Sequence, residues 1–298
     1  MIISIINHSN GIVPDDELQS VIRAINRQIT EDFEPYWSMG AMLRLDGRSE
    51  DNPSKLNMLD LRGDAIIYLW DKTDIPGALG YHDQNARGIP YGFVFMDLAK
   101  KLGEPWSVTL SHETLELLGD AQVNLLAMGP HPGNAEKTVF HWFEMCDAVQ
   151  TETYKIDGVE VSNFVLPLYF TSSDEPGGRN DFLGRSYNGK TLNSFGVNQG
   201  GYIGFFNPET GKHETFTRPK DKTAVKRLTL KGEASAARRA IRYQRFTASG
   251  EDAKQATPTD KQGRREIVQS IGRGKANSTF AITAGGNDLP TTHRKTGI

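Results

Sequence analysis

Within SVTLSHETLELLGD, residues 107–120, one imidazole and three carboxylates interrupt an apolar run: His112, Glu113, Glu116 and Asp120. On an α-helix, positions i and i+4 stand one above the other, so His112 and Glu116 can approach one ion together. Glu113 projects about 100° from that pair, as roughly 3.6 residues per turn require. There it can take a proton from a water beside the ion. Zinc accepts carboxylate oxygen next to imidazole, and a single imidazole with several carboxylates also suits manganese, calcium or magnesium. A second group of acids lies in FHWFEMCDAVQ, where Glu144 and Asp147 are flanked by apolar residues. Carboxylates in such surroundings need a cation or a donor. Asp120, Glu144 and Asp147 are therefore the candidates for a third ligand.

From His112 to Gly119 the pattern H-E-x-x-E-x-x-G resembles the active-site helix of the zincins, and most closely the metzincin form H-E-x-x-H-x-x-G-x-x-H/D. The order of elements ahead of it is similar too: an N-terminal strand and helix, two further strands, then a rim segment, GYHDQNARGIPYGFVFMD. The resemblance implies a metallopeptidase with His112 and Glu116 as zinc ligands and Glu113 as general base. A peptide substrate would lie extended along the rim near Tyr91 to Met96. Met145 would be the methionine that underlies the metal, and Tyr81, His82, His141 or Tyr154 could stabilise an oxyanion. The chain also departs from the family. Glu116 replaces the second histidine, and the family's third ligand falls on Gln122, a poor donor. Asp120 stands about 12 Å of rise from His112 on a straight helix, at ~1.5 Å per residue, so its participation needs a turn at Gly119.

Each of these residues also has a purely structural reading. The acids of 113–120 could form the solvated face of an amphipathic helix, and Glu144 and Asp147 could cap a helix or pair with an arginine. His82 and His141 fit packing or hydrogen-bonding roles, since a neutral ring is easily satisfied by backbone groups. Cys146, with apolar neighbours, reads as core.

The elements that must position these groups follow from periodicity and punctuation. IISIIN opens as a buried strand. A helix follows, capped by Asp15 or Asp16, with Leu18, Val21, Ile22, Ile25 and Ile29 on one face. AMLRLDG (41–47) and DAIIYLWD (64–71) are strands, and GRSEDNPSKLN between them is a loop. The glycine-punctuated 77–97 segment predicts an irregular rim ending in the strand GFVFMD rather than a central strand. Pro105 then opens a helix that Gly119 ends. Beyond it, VFHWFEMCDAVQ, YKIDGVEVSNFVLPLYF and GGYIGFFNPETGKHETF predict strands and hairpins turning at DG and NPETG. The expected fold is α+β, a mixed twisted sheet with flanking helices, zincin-like by resemblance over its first half.

Charge divides the chain. Residues 1–217 hold 16 Lys/Arg against 30 Asp/Glu, whereas residues 218–298 hold 18 against 7. This places a domain at 1–216 and a basic C-terminal extension at 217–298. The extension could dock on an acidic protein surface, that of its own chain's acidic domain or of another subunit in a homo-oligomer, form a mobile or strap-like arm, or meet nucleic acid. The opening residues lack the basic lead and long apolar stretch of a secretory signal, and no apolar run is long enough to cross a bilayer. The single cysteine makes no internal disulfide. The expected setting is the cytoplasm or a particle assembled inside the cell. Two functions compete: metal-dependent peptide hydrolysis, and a non-catalytic metal-stabilised structural or assembly protein whose tail binds neighbours.

Overall fold

The computed structural model describes residues 1–48, 63–72, 78–84, 88–171, 178–184, 186–187 and 190–218. The basic extension, apart from its first two residues, and most of the loop at 47–57 lie outside them. The fold is α+β. β1 (Ile2–His8), β2 (Met42–Gly47), β3 (Ala65–Trp70), β4 (Gly80–Gln84) and β5 (Pro90–Phe95) form one sheet in the order β2-β1-β3-β5-β4. The first four strands in that order are parallel, and β4 runs antiparallel at the edge.

The segment expected to be one irregular rim is thus two strands with different burial. β5 is paired on both sides and buried along its whole length, so Tyr91 to Met96 cannot receive an extended peptide. The edge belongs to β4. The sequence cue was misleading because Gly92, a weak strand residue, sits where two neighbouring strands approach closely: a Cβ there would stand 3.1 Å from the carbonyl oxygen of Tyr81.

Alternation decides what each face of this sheet carries. Ile3, Ile5, Ile67, Leu69 and Val94 belong to the main core beneath the helices, while Tyr68, Tyr81, Tyr91, Phe93 and Phe95 form an aromatic cluster on the other face. α1 (Asp15–Arg27) makes the first crossover and buries Leu18, Val21, Ile22, Ala24 and Ile25 against the sheet. Each buried aliphatic side chain of this kind contributes about 1.5–3 kcal/mol. Pro14 stands at the N-cap, where an Asp15 or Asp16 cap was expected; Asp15 instead accepts a hydrogen bond from Asn7 Nδ2 at 2.7 Å, and the acidic first turn meets the positive end of the helix.

Past Arg27 the helix widens into a π-helical segment, Gln28–Phe33, before the short α2 (Glu34–Trp37). α3 (Met96–Leu102) follows β5 directly and ends at Gly103, whose φ of 65° is left-handed. α4 (Trp106–Gly119) then starts behind Pro105, as its sequence predicts.

β6 (Leu126–His131), β7 (Asn134–Trp142), β12 (Tyr202–Asn207) and β13 (Lys212–Thr217) make an antiparallel sheet ordered β13-β12-β7-β6. The hairpin of β8 (Thr153–Ile156) and β9 (Val159–Ser162) turns at Asp157 and Gly158, both with positive φ, as the DG signal predicts. Two-residue strands β10 (Ser186–Tyr187) and β11 (Lys190–Thr191) pair with each other. Among the described residues no helix is long and apolar enough to cross a membrane.

Candidate metal centre

α4 carries the candidate ligands His112 and Glu116 and the candidate base Glu113, and its burial overturns the solvated-face reading of the acids. Every residue from Ser107 to Gly119 is buried. A helix enclosed on all sides packs as a central element, here between β4 and β5 on one side and β9 on another. Ser111 anchors it. Its Oγ donates to Gln28 Oε1 at 2.6 Å and accepts the Ser162 N–H at 3.1 Å, while Gln28 Nε2 donates to the Ser162 carbonyl at 2.8 Å. The π-helical segment places Gln28 at this junction, so a local irregularity in the first crossover sets the seat of α4.

At the middle of the helix, His112 Nε2 lies 3.2 Å from Glu116 Oε1 and 3.2 Å from Asp147 Oδ1. Two ligand atoms on one tetrahedral ion with bonds of about 2.1 Å stand roughly 3.4 Å apart, so each of these separations by itself suits a pair of ligands on one cation, although the groups whose ligand atoms all lie within 4.8 Å of one another join His112 and Glu116 to Cys146 rather than to Asp147. A neutral imidazole nitrogen can donate to one acceptor, not two. Of the three candidate third ligands, Asp147 is the one whose carboxylate oxygen stands beside His112 Nε2. It comes from the 3-10 turn Asp147–Val149, which follows β7 and brings residues 143–147 under α4.

The other two candidates lie differently. Asp120 follows the last residue of α4 and accepts the backbone N–H of Asn124 and of Leu125, each at 3.0 Å. It ties down the loop after the helix. Glu144 is buried, and with His82 and Glu116 it offers ligand atoms that all lie within 4.8 Å of one another. His112, Glu116 and Cys146 form a second such group. Gln122, which the family pattern marks, bonds through its Nε2 to the Gly88 carbonyl and through its own carbonyl to Gln84.

His82 joins the cluster from β4. Its Nδ1 is 3.3 Å from Glu113 Oε2 and 3.8 Å from Glu116 Oε2. The sequence signal for it was period 2: Tyr81 belongs to the aromatic cluster, so Gly80 and His82 take the opposite face, toward α4. Gly80 makes the approach close, since a Cβ there would meet Thr109 Cγ2 at 2.8 Å and Glu113 Cγ at 3.0 Å.

The remaining oxyanion candidates are committed elsewhere. Tyr154 donates to Asp32 Oδ2 at 2.7 Å, and His141 donates through Nε2 to the Pro130 carbonyl at 2.8 Å. His141 packs on Phe195 and Phe205, in keeping with its structural reading. Met145 is wholly buried and fills the space over Gly119. Gly119 does not have the left-handed φ that its helix-ending role predicts; what crowds the position is the end of the Met145 side chain, which a side chain there would have to displace.

The electrostatics are those of crowded acids. Burial and the nearby Asp147 charge push Glu116 well above the usual carboxylate range, and the proximity of His112 only partly opposes them. Burial likewise pushes the Cys146 thiol up, helped by Glu116 and Asp147, which marks it as a core residue rather than a nucleophile. Its backbone N–H donates to Glu116 Oε1 at 3.2 Å. A cation would reverse this crowding, because each carboxylate favours its charged form beside one. Comparison with known protein families, curated proteins and solved structures finds no match to this chain.

Proposed function

We propose that the chain is a metal-dependent peptide hydrolase of zincin-like architecture, with zinc or another divalent cation held by His112, Glu116 and Asp147. The observation that carries the reading is the pair of carboxylates facing one imidazole nitrogen at 3.2 Å each. A cation there supplies Lewis-acid polarisation of a scissile carbonyl and lowers the pKa of water. Glu113 takes the proton of that water and passes it to the departing amine as the C–O bond forms and the C–N bond breaks. His82, in contact with Glu113, holds its carboxylate in place. An extended peptide adds to the outer edge of β4, which pairs only with β5 among the described residues.

The test compares the full chain with Glu113→Gln in a casein or self-cleavage assay, with metal content measured in both and in His112→Ala. The parent should cleave, Glu113→Gln should retain the ion and lose roughly 10²–10⁴-fold in rate, and His112→Ala should lose the ion. Equal cleavage by Glu113→Gln removes the assigned base.

The burial of the cluster favours a second reading. His82, His112, Glu113, Glu116, Glu144 and Asp147 are all 6% exposed or less, which suits an ion that braces the fold better than one that meets a large substrate. In that case the chain is a structural or assembly protein whose basic extension binds neighbouring subunits or an anionic partner. Metal-dependent thermal stability without hydrolysis, together with altered association on deleting residues 218–298, would separate it from the first.

A further inference from the structure

We propose that the buried cluster holds two divalent cations rather than one, bridged by the carboxylate of Glu116. The inference rests on the metal-binding part of the reading above and goes beyond it in number and ligands. Glu116 faces two ways: Oε1 lies 3.2 Å from His112 Nε2, and Oε2 lies 3.8 Å from His82 Nδ1. Each side has its own donor set. On one, His112, Glu116 and Cys146 converge, with Asp147 Oδ1 beside His112; on the other, His82, Glu116 and Glu144 converge. Glu116 is the shared member of both.

Each set mixes imidazole nitrogen with carboxylate oxygen, the chemistry of divalent transition ions and not of a merely acidic patch. Paired ions in hydrolytic sites stand about 3.5–4 Å apart, a span that the two oxygens of one carboxylate can bridge.

Charge supports the count. Glu113, Glu116, Glu144 and Asp147 are all buried and bring four negative charges when ionised. With both imidazoles neutral and Cys146 kept as a thiol outside the coordination, one divalent ion leaves two of those charges uncompensated, and two ions leave none. Uncompensated buried charge is strongly unfavourable. Within the proposed hydrolase, Glu113 Oε2, 3.3 Å from His82 Nδ1, then faces the second ion's side, and His82 gives up its hold on Glu113 when that nitrogen binds the ion.

The experiment is a metal count on the full chain, stripped with chelator and titrated with zinc chloride by calorimetry, then checked by elemental analysis after gel filtration. The expected stoichiometry is two ions per chain, falling to one in Glu144→Gln and in His82→Gln. Manganese loading gives an independent readout: the parent should show a spin-coupled paramagnetic resonance spectrum, and either variant the six-line signal of an isolated ion. Circular dichroism identifies any variant that fails to fold, and the other variant then decides. A folded parent that takes one ion, unchanged by either substitution, overturns the second site and leaves the hydrolase reading intact. A folded parent that takes none overturns both.

Discussion

Met145 occupies the space that a side chain on Gly119 would need: a Cβ there would lie 2.1 Å from Cε and 2.6 Å from Sδ of Met145. Gly119→Ala should therefore destabilise the protein by about 1–3 kcal/mol through overpacking, although alanine suits a helix better than glycine by up to ~1 kcal/mol. Urea denaturation measures the difference. The double variant Gly119→Ala with Met145→Ala should lose less than the two single losses together. A Gly119→Ala protein as stable as the parent would refute the close contact.

Asp120 braces the loop after α4. Because its carboxylate accepts two backbone N–H groups of the loop after α4, Asp120→Ala should cost about 1–3 kcal/mol by leaving those donors unpaired. Metal content should not change. Loss of the ion with retention of fold would make Asp120 a ligand after all.

His141 predicts a pH dependence remote from the cluster's own ligands. Burial, its largest influence, lowers its pKa from 6.5 to about 4. Between those values the folded chain binds fewer protons than the unfolded one, so stability is present above pH 6.5 and lost as pH falls toward 4. The loss from this group is up to ~3 kcal/mol at ~1.4 kcal/mol per unit. Denaturation of the parent and of His141→Gln across that window isolates it: the difference between them should shrink as the pH falls.

Ser111 is the polar pin between α4 and the β8–β9 hairpin. Ser111→Ala removes the donor to Gln28 and the acceptor for the Ser162 N–H, with an expected cost of about 1–3 kcal/mol per unsatisfied buried group. Amide exchange at Ser162 should accelerate with it. Unaltered exchange would show that Gln28 alone holds the junction.

The end of α4 falls at Gly119 as expected, but without the left-handed cap that made the glycine a signal. Its start was legible because it is written locally, in Pro105 before it. The same holds for the DG turn and for the spacing of His112 and Glu116, which one helical turn brings together. Which of Asp120, Glu144 and Asp147 approaches His112 was not legible. It depends on where β7 ends and how the chain after Trp142 passes beneath α4, a matter of packing between segments about 30 residues apart. His82 was hidden for the same reason. Its partner lies 31 positions away, and its face is settled only once β4 is known to lie antiparallel to β5. The aromatic and glycine residues of 77–97 misled in the other direction, since the composition of a buried strand pair passed for an irregular rim.

The carboxylates of Glu144 and Asp147 ride on a stretch with little regular structure, wedged beneath a helix that belongs to the first sheet's half of the chain. In the proposed metal site, an ion that offsets their charge would act as a rivet through that seam, joining segments that no strand ladder connects among the described residues. When the rivet is drawn, unfolding should begin at the seam, and a protease added with chelator should nick the chain between Phe143 and Gln150 before it reaches either sheet.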